Sequence, residues 1–270
     1  MKKGISYWTF GDMPIRECFR LAKETGFDGV ELTLDPTGEL TLETTDEQAL
    51  AIKAAAAEEG IELYSLASGY GWIHPVSDND PAVREKAEQV VRRQLELAAL
   101  LGCDTILLVP AVVTEEVAYD VAYQRAMETV KRLAAYAEEK GVVIALENVW
   151  NKFLLSPMEM ARFIDEIGSP YVKAYFDVGN VVVNGYPEQW IRILGDRIAK
   201  VHFKDYRRDV GNIYGFTELL TGDVDYKAVM QAFRDVGYDN WVTGELTPYK
   251  QFGPDYIATA SRTMGIILSV

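Results

Sequence analysis

Short runs of apolar, β-branched and aromatic residues recur along the chain, and most are nearly continuous rather than strictly alternating. A continuous apolar run of strand length is typical of a strand covered on both faces, as in a parallel sheet. The eight runs are GISYW (4–8), GVELTL (29–34), IELYSLA (61–67), TILLVP (105–110), VVIALEN (142–148), VKAYFDV (172–178), IAKVHFK (198–204) and WVTGEL (241–246). The pattern therefore predicts eight buried, parallel strands.

The segments between these runs have apolar residues at helical spacing. In segment 80–101 the apolar side chains recur every three to four residues, and Gly102 follows as a C-terminal stop. Asp46 and Asp225 begin two other helical segments, where an aspartate side chain can cap the first turn. Strands and helices therefore alternate along the chain, which is the pattern of βα units.

Eight βα units in 270 residues fit one closed (β/α)8 barrel, a TIM barrel of the α/β class. No linker, low-complexity tract or shift in composition divides the chain, so we expect residues 1–270 to form a single domain. An open, doubly wound sheet is the alternative. The absence of a GxGxxG motif after the first predicted strand disfavours that alternative.

Composition and charge exclude several classes of function. The net charge of −14 would repel nucleic-acid phosphates and anionic membranes, so we expect no nucleic-acid or membrane partner. The N-terminus lacks the apolar region of a signal peptide, and no run of 18 apolar residues exists that could span a membrane. Cys18 and Cys103 lack metal or redox spacing and are typical of reduced thiols, which indicates a cytoplasmic protein.

Four consecutive predicted strands each end in a carboxylate or an imidazole: Glu147, Asp177, His202 and Glu245. Taken singly, each acid could be a helix cap or an ion-pair partner, and His202 could be a core histidine. In a barrel the carboxyl ends of the strands meet, and buried acids that converge repel one another unless a cation compensates them. Oxygen ligands with one nitrogen suit Mn²⁺ or Mg²⁺, and Co²⁺ could substitute. The sequence therefore predicts one divalent metal ion.

The segments LENVWN, YFDVGN, KVHFKD and GEL resemble the xylose isomerase-like TIM barrels, and within them the L-ribulose-5-phosphate, hexulose-6-phosphate and other ketose 3-epimerases. The resemblance covers essentially the whole chain. It implies a metal-dependent isomerase that removes and returns a proton at C3 of a ketose or ketose phosphate through a cis-enediolate. It also implies that Glu147 and Glu245 are catalytic as well as metal ligands, because inversion at one carbon needs two bases.

Expectations about the substrate contacts come from the same resemblance. Asn180 stands where the epimerases of nonphosphorylated ketoses often have a histidine, which favours the sugar-phosphate branch. Arg208 follows His202 by six residues, a spacing at which an arginine contacts the substrate in ketose 3-epimerases. Lys204 lies on the same strand face as His202, where it could contact the substrate or pair with one of the acidic ligands.

Further residues are placed where they could line a sugar pocket. Trp8, Trp72 and His74 follow the first and third predicted strands, where aromatic groups can wall such a pocket or simply pack the loops. Lys152 and Arg207 could contact a phosphate, or they could be solvated surface charges. The expected ligand is accordingly a small sugar or sugar phosphate, and we also expect a homo-oligomer, either a dimer or a tetramer.

Four other functions fit parts of this pattern. A metal-dependent lyase acting on a sugar derivative, by C-glycoside cleavage or dehydration, would use the same base and metal. An aldose–ketose isomerase using a hydride shift generally needs a second metal. An endonuclease IV-type enzyme needs a histidine-rich metal cluster, which the two histidines of this chain do not supply. A non-enzymatic sugar-binding module would not need both glutamates.

Overall fold

The computed structural model describes all 270 residues and contains a closed barrel of eight parallel strands. The barrel strands are β1 (Lys2–Ser6), β2 (Gly29–Leu34), β3 (Glu62–Ser68), β4 (Thr105–Leu108), β5 (Val143–Glu147), β6 (Val172–Asp177), β7 (Ile198–Phe203) and β10 (Trp241–Gly244). Two short strands, β8 (Asp205–Tyr206) and β9 (Phe216–Thr217), pair as a separate antiparallel ribbon. β1 pairs with both β2 and β10, which closes the barrel. The (β/α)8 TIM barrel prediction is confirmed, and the open doubly wound sheet is excluded.

Helices connect the strands and cover the outside of the barrel. They are α1 (Ile15–Glu24), α2 (Asp46–Glu59), α3 (Tyr70–Ile73), α4 (Pro81–Leu101), α5 (Tyr119–Lys140), α6 (Pro157–Ile167), α7 (Pro187–Leu194), α8 (Tyr226–Asp235) and α9 (Gly253–Leu268). Apolar side chains from the strands and from the helices form one large buried core, and a second, smaller apolar cluster includes Leu107 and Tyr175. None of the helices combines the length and the apolar composition that crossing a membrane would require.

The helix caps differ in one place from the sequence prediction. Asp225 caps α8 as expected, because its side chain accepts a hydrogen bond from the Ala228 N–H. The prediction of Asp46 as the cap of α2 is wrong, because Asp46 is the first residue of the helix. The cap is Thr45, which forms a reciprocal capping box with Gln48 and so satisfies two N–H groups at once.

The first and last barrel strands end earlier than predicted. β1 ends at Ser6, and the chain enters a 3-10 turn over Tyr7–Phe10, which carries Trp8 at the mouth of the barrel. β10 ends at Gly244, so Glu245 lies one residue beyond the strand. Both changes move side chains from the strands to the loops at the carboxyl end, where active sites of this fold form.

Strand β7 and the residue that follows it place basic side chains at successive levels of the barrel interior. Lys200 and His202 lie in β7, Lys204 comes directly after its end, and the three alternate with apolar residues. The Lys200 side chain is buried near the amino end of the strand, with its Nζ 2.8 Å from Asp104 Oδ1 and 3.5 Å from Asn240 Oδ1. His202 and Lys204 lie toward the carboxyl end.

Candidate metal centre and active site

Four side chains converge at the carboxyl end of neighbouring strands. Glu147 is the last residue of β5, Asp177 is the last residue of β6, His202 lies in β7, and Glu245 follows β10. These strands are consecutive in the barrel, and Asp177 is directly paired with His202 in the register. One ligand atom from each residue lies within 4.8 Å of the others. The structure thus brings together the four residues that the sequence predicts as metal ligands.

The facing atoms of this cluster contact mainly one another and one lysine. His202 Nδ1 lies 2.7 Å from Glu245 Oε2, 3.7 Å from Glu147 Oε1 and 3.9 Å from Asp177 Oδ2. His202 Nδ1, Glu245 Oε2 and Asp177 Oδ2 are buried without a well-formed hydrogen bond, and both oxygens share the single ammonium of Lys204. Buried polar atoms are rarely left unpaired, because desolvation is costly. Three carboxylates and one imidazole with free lone pairs fit the coordination of a divalent cation.

Lys204 partly compensates the negative charge of the cluster. Its Nζ lies 2.8 Å from Asp177 Oδ2 and 2.8 Å from Glu245 Oε2. Burial alone would lower the pKa of the ammonium, but the attraction of Asp177 and Glu245 outweighs burial and raises the pKa above its usual range. The lysine is therefore held as a cation between two of the acids, which is one of the two arrangements expected from the sequence.

The pKa values of the two glutamates change in opposite directions. Burial raises the pKa of Glu147 above its ordinary value, although His202 and Lys204 oppose this change. Burial acts on Glu245 in the same direction, but the neighbouring Lys204 and His202 outweigh it and lower the pKa of Glu245 below its usual range. The cluster thus contains two carboxyl groups of unequal proton affinity.

Glu31 is a residue in contact with the cluster that the sequence reasoning missed. It lies in β2, is fully buried, and its Oε1 is 2.9 Å from His202 Nε2, while Oε2 accepts a hydrogen bond from the Tyr175 hydroxyl. A carboxylate on the far ring nitrogen fixes the orientation of an imidazole that ligates a metal. His202 Nδ1 is left to face the cluster. The available signal was a single acidic residue within the otherwise apolar run GVELTL.

The charge of His202 follows from these neighbours. Burial opposes protonation of the ring, but Glu31 and Glu245 outweigh burial and raise the pKa of His202 well above its ordinary value. The neighbouring carboxylates therefore stabilise positive charge at the His202 ring, either as a bound proton or as a bound metal cation.

Two asparagines hold Asp177 in place, Asn148 through its main chain and Asn180 through its carboxylate. The Asn148 side chain accepts a hydrogen bond from the Asp177 N–H and donates one to the Asp177 carbonyl, both at 2.8 Å. The Asn180 N–H donates to Asp177 Oδ1 at 2.8 Å, which leaves Oδ2 to face the cluster. Asn180 Nδ2 lies 3.0 Å from the Asn148 carbonyl and 3.5 Å from Glu147 Oε1. Asn180 thus positions two acids of the site.

A cavity of about 980 Å³ opens at this cluster. Among the residues that the sequence predicts as substrate contacts, Trp8, Trp72, Asn180 and Lys204 line it, together with Glu245. The other lining residues are Val149, Trp150, Asp205, Ile213, Phe216, Thr217, Glu218, Leu246, Thr247, Pro248, Tyr249, Lys250 and Tyr256. Half of the lining residues are aromatic or aliphatic, and the polar ones include Asn180, Lys204 and Glu245.

The structure does not bring His74 and Arg208 to this cavity. His74 lines a separate small cavity, and its ring stacks on Tyr70 at 6.3 Å between centroids. Arg208 Nε donates to the Val182 carbonyl at 3.1 Å, and its guanidinium lies 5.1 Å from the centre of the Tyr186 ring. Both side chains contact their own loops and do not line this cavity, and a role for them in substrate binding stays a prediction.

The two expected phosphate partners also lie outside the main cavity. Arg207 pairs with the exposed Asp209 at 2.9 Å. Lys152 lines a neighbouring cavity beside the main one. Within the main cavity the basic side chains are Lys204 and Lys250.

Comparison with known proteins relates this architecture to sugar epimerases. SgbU of Escherichia coli (strain K12), provisionally named an L-ribulose-5-phosphate 3-epimerase, is 30% identical over 242 residues, which are 84% of this chain and 82% of that protein. The structure of a D-psicose 3-epimerase determined in the presence of D-fructose has a TM-score of 0.83 and 20% identity, and covers 100% of both chains. The IOLI protein with a bound zinc atom has a TM-score of 0.84 and 18% identity, over 100% of this chain and 98% of that one.

SgbU and the D-psicose structure are both named as epimerases, and epimerases are isomerases. Isomerase is also the enzyme class that the sequence predicts. A family model described as the xylose isomerase-like TIM barrel matches residues 19–264, nearly the whole chain. The match includes all four residues of the cluster. The chain therefore belongs to the xylose isomerase-like TIM barrel family.

Proposed function

We propose that the protein is a divalent-metal-dependent epimerase that inverts C3 of a ketose or ketose phosphate. The observation that carries this proposal is the buried cluster of three carboxylates and one imidazole, with ligand atoms within 4.8 Å of one another. The names of SgbU and of the D-psicose 3-epimerase support the same reaction. The proposal includes a cytoplasmic location, which the two buried free cysteines support.

Glu147, Asp177, His202 and Glu245 would hold the metal, and their donor atoms suit Mn²⁺ or Mg²⁺, with Co²⁺ as a substitute. When bound, the ion would act as a Lewis acid on the ketone and so make the proton at C3 more acidic. Glu31 keeps the His202 ring oriented, and Asn180 directs the free oxygen of Asp177 to the cluster.

The two glutamates would move the protons. Glu147 lies on β5 and Glu245 follows β10, and β6 and β7 separate these strands, so the carboxylates approach the cluster from different sides. One carboxylate takes the proton from C3, and the other delivers a proton to the opposite face of the same carbon. Reversing the reaction exchanges the two roles. Exchange with solvent then restores both glutamates to their starting protonation states.

The direct test is solvent deuterium exchange with Mn²⁺-loaded protein and a panel of ketoses and ketose phosphates. We expect deuterium at C3 together with inversion of that carbon, detected by NMR and chiral chromatography. Conversion of a ketose to an aldose without C3 deuterium would indicate a hydride-shift isomerase instead. Release of a leaving group from a sugar derivative would indicate a lyase, and either result would overturn the proposal.

A further inference from the structure

A second cavity adjoins the one that contains the cluster. Its volume is about 390 Å³, and it lies among the loops that follow β3, β4 and β5. It is lined by Trp72, Val112, Val113, Thr114, Glu115, Glu116, Trp150, Asn151 and Lys152. Trp72 and Trp150 line both cavities, so the two spaces meet at this pair of indoles.

The indole pair has surface available for a ligand. Trp72 is 46% exposed although it is a large apolar residue. Trp150 is held in place, because its indole N–H donates to the Asn180 carbonyl at 2.8 Å and its ring packs against Tyr206 and Phe216. The face of an aromatic ring is electron-rich and attracts the polarised C–H groups on the flat side of a sugar ring. A fixed indole face at Trp150 and a partly exposed one at Trp72 are therefore suited to hold a sugar ring.

The charges of both cavities disfavour a phosphate group. In the first cavity Lys204 is already paired with two acids, and the carboxylate of Glu218 lines the same cavity as Lys250. In the second cavity Glu115 and Glu116 line the wall together with Lys152, so the acids outnumber the single lysine. No arginine lines either cavity, although arginine is the side chain best shaped for a phosphate. Carboxylates and a lysine are instead good partners for neutral sugar hydroxyls, which both accept and donate hydrogen bonds.

The size of the combined space points to a ligand larger than one sugar. Small-molecule pockets span roughly 300–1,000 Å³, and the first cavity alone is at the upper end of that range. A single monosaccharide at the cluster would leave most of this volume, and the whole of the second cavity, to water.

We infer that the substrate is an uncharged ketose that carries a second sugar ring. The ketose end lies at the cluster, and the second ring lies across Trp72 and Trp150 and reaches the polar walls of the second cavity. This inference rests on the proposed function for the identity of the reacting ring. It departs from the sugar-phosphate preference that Asn180 indicates by resemblance, since Asn180 is occupied by the acids of the cluster.

Three ketoses that differ only at O6 test the inference: D-fructose, D-fructose 6-phosphate and isomaltulose, in which O6 carries a glucose ring. The readout is kcat/KM for deuterium incorporation at C3 with Mn²⁺-loaded protein. We expect isomaltulose to exceed each of the other two at least tenfold. A preference for the phosphate, or equal values for fructose and isomaltulose, would overturn the inference.

Substitutions of Trp72 test whether the indole pair causes the preference for isomaltulose. Trp72→Ala should lower the ratio of kcat/KM for isomaltulose to that for D-fructose at least tenfold, and Trp72→Phe, which keeps an aromatic face, should retain most of it. Tyr214→Ala is the matched control, because Tyr214 is an aromatic residue that is 86% exposed and lines neither cavity. An equal loss in Trp72→Ala and Tyr214→Ala would contradict the assignment.

Calorimetric titration separates this inference from the proposed reaction. If no ketose exchanges its C3 proton, the epimerase proposal fails, but isomaltulose should still bind to Mn²⁺-loaded protein more tightly than D-fructose, with an affinity that Trp72→Ala weakens at least tenfold. If isomaltulose binds no more tightly than D-fructose, the two-ring inference fails even where epimerisation is observed.

Discussion

Strand β7 buries two basic side chains two residues apart, and their surroundings differ. Lys200, toward the amino end, is 1% exposed and has its Nζ at hydrogen-bonding distance from Asp104. His202, toward the carboxyl end, is fully buried. Its Nδ1 faces three carboxylates and makes no well-formed hydrogen bond with them. The first arrangement is complete within the protein, and the second is not.

Under the proposed function, the difference separates a charge that serves the fold from one that serves the site. A buried charge that is paired contributes to the fold and needs nothing further. A buried cluster of several acids needs compensating positive charge, and within the protein only the Lys204 ammonium and the His202 imidazole, whose pKa is raised, lie close enough to supply it. The carboxyl end is therefore expected to depend on an added ion, and the amino end is not.

The largest expected effect is the loss of epimerisation in Glu147→Gln and in Glu245→Gln. Each substitution removes one general base, which normally costs about 10²–10⁴-fold in rate. Each variant keeps one carboxylate, so it should still exchange the C3 proton of one epimer without inverting it. Deuterium incorporation measured separately for each epimer is the readout.

Glu218→Gln is the matched control, because this glutamate lines the cavity but is not part of the cluster. Near wild-type epimerisation in Glu147→Gln or Glu245→Gln would contradict the two-glutamate mechanism. A hydride shift or a different base such as Lys204 would then have to be considered.

The second effect is on metal affinity. We expect His202→Ala to weaken Mn²⁺ binding by more than about 100-fold while the barrel stays folded, because loss of a group that merely holds a ligand already costs about 10–100-fold. Metal titration and circular dichroism measure the two properties. Unfolding with unchanged affinity would instead make His202 a core residue like Lys200.

Glu31→Gln should weaken Mn²⁺ binding by about 10–100-fold, since the carboxylate orients the His202 ring and increases its basicity. Tyr175→Phe removes the other hydrogen bond of Glu31 and leaves the carboxylate in place, so its effect should be smaller. The same metal titration distinguishes them. Equal affinities in Glu31→Gln and the wild-type protein would show that the ring is held by packing alone.

The smallest effect is expected at the amino end. Asp104→Asn should lower the free energy of unfolding by about 1 kcal/mol, a modest value because the Asp104 side chain is 65% exposed although Lys200 is buried. Metal affinity and C3 exchange should not change. Urea unfolding gives the stability, and a fall in metal affinity would mean that the two ends of β7 are not independent.

The fold could be predicted because its signal is local. Each buried strand is a short apolar run, and each helix has its own periodicity, so the barrel follows from their alternation. The details that failed depend on single side chains. Thr45 caps α2 because Gln48 can return its hydrogen bond, and the chain turns at Tyr7–Phe10 although the apolar run continues to Trp8.

The site could be predicted best where it lies at strand ends. The four clustered residues lie at or close to the ends of neighbouring strands, so parallel pairing brings them together. Trp8, Trp72 and Asn180 lie outside the strands but line the cavity as predicted. His74 and Arg208 lie on loops, where no periodicity fixes the direction of a side chain. Glu31 lies in a strand that is buried on both faces, and its contact with His202 spans 171 residues, so no local pattern reveals the partner.

The contact between Glu31 and His202 also constrains how the protein folds. It joins β2 to β7 across the barrel, and contacts of such long sequence separation form late, because the intervening chain must be ordered first. Until β2 is in place, the His202 ring has no partner that fixes its orientation. Tight metal binding should therefore appear during refolding only when the barrel closes, and the rate at which Mn²⁺ affinity is acquired would report the closure step itself.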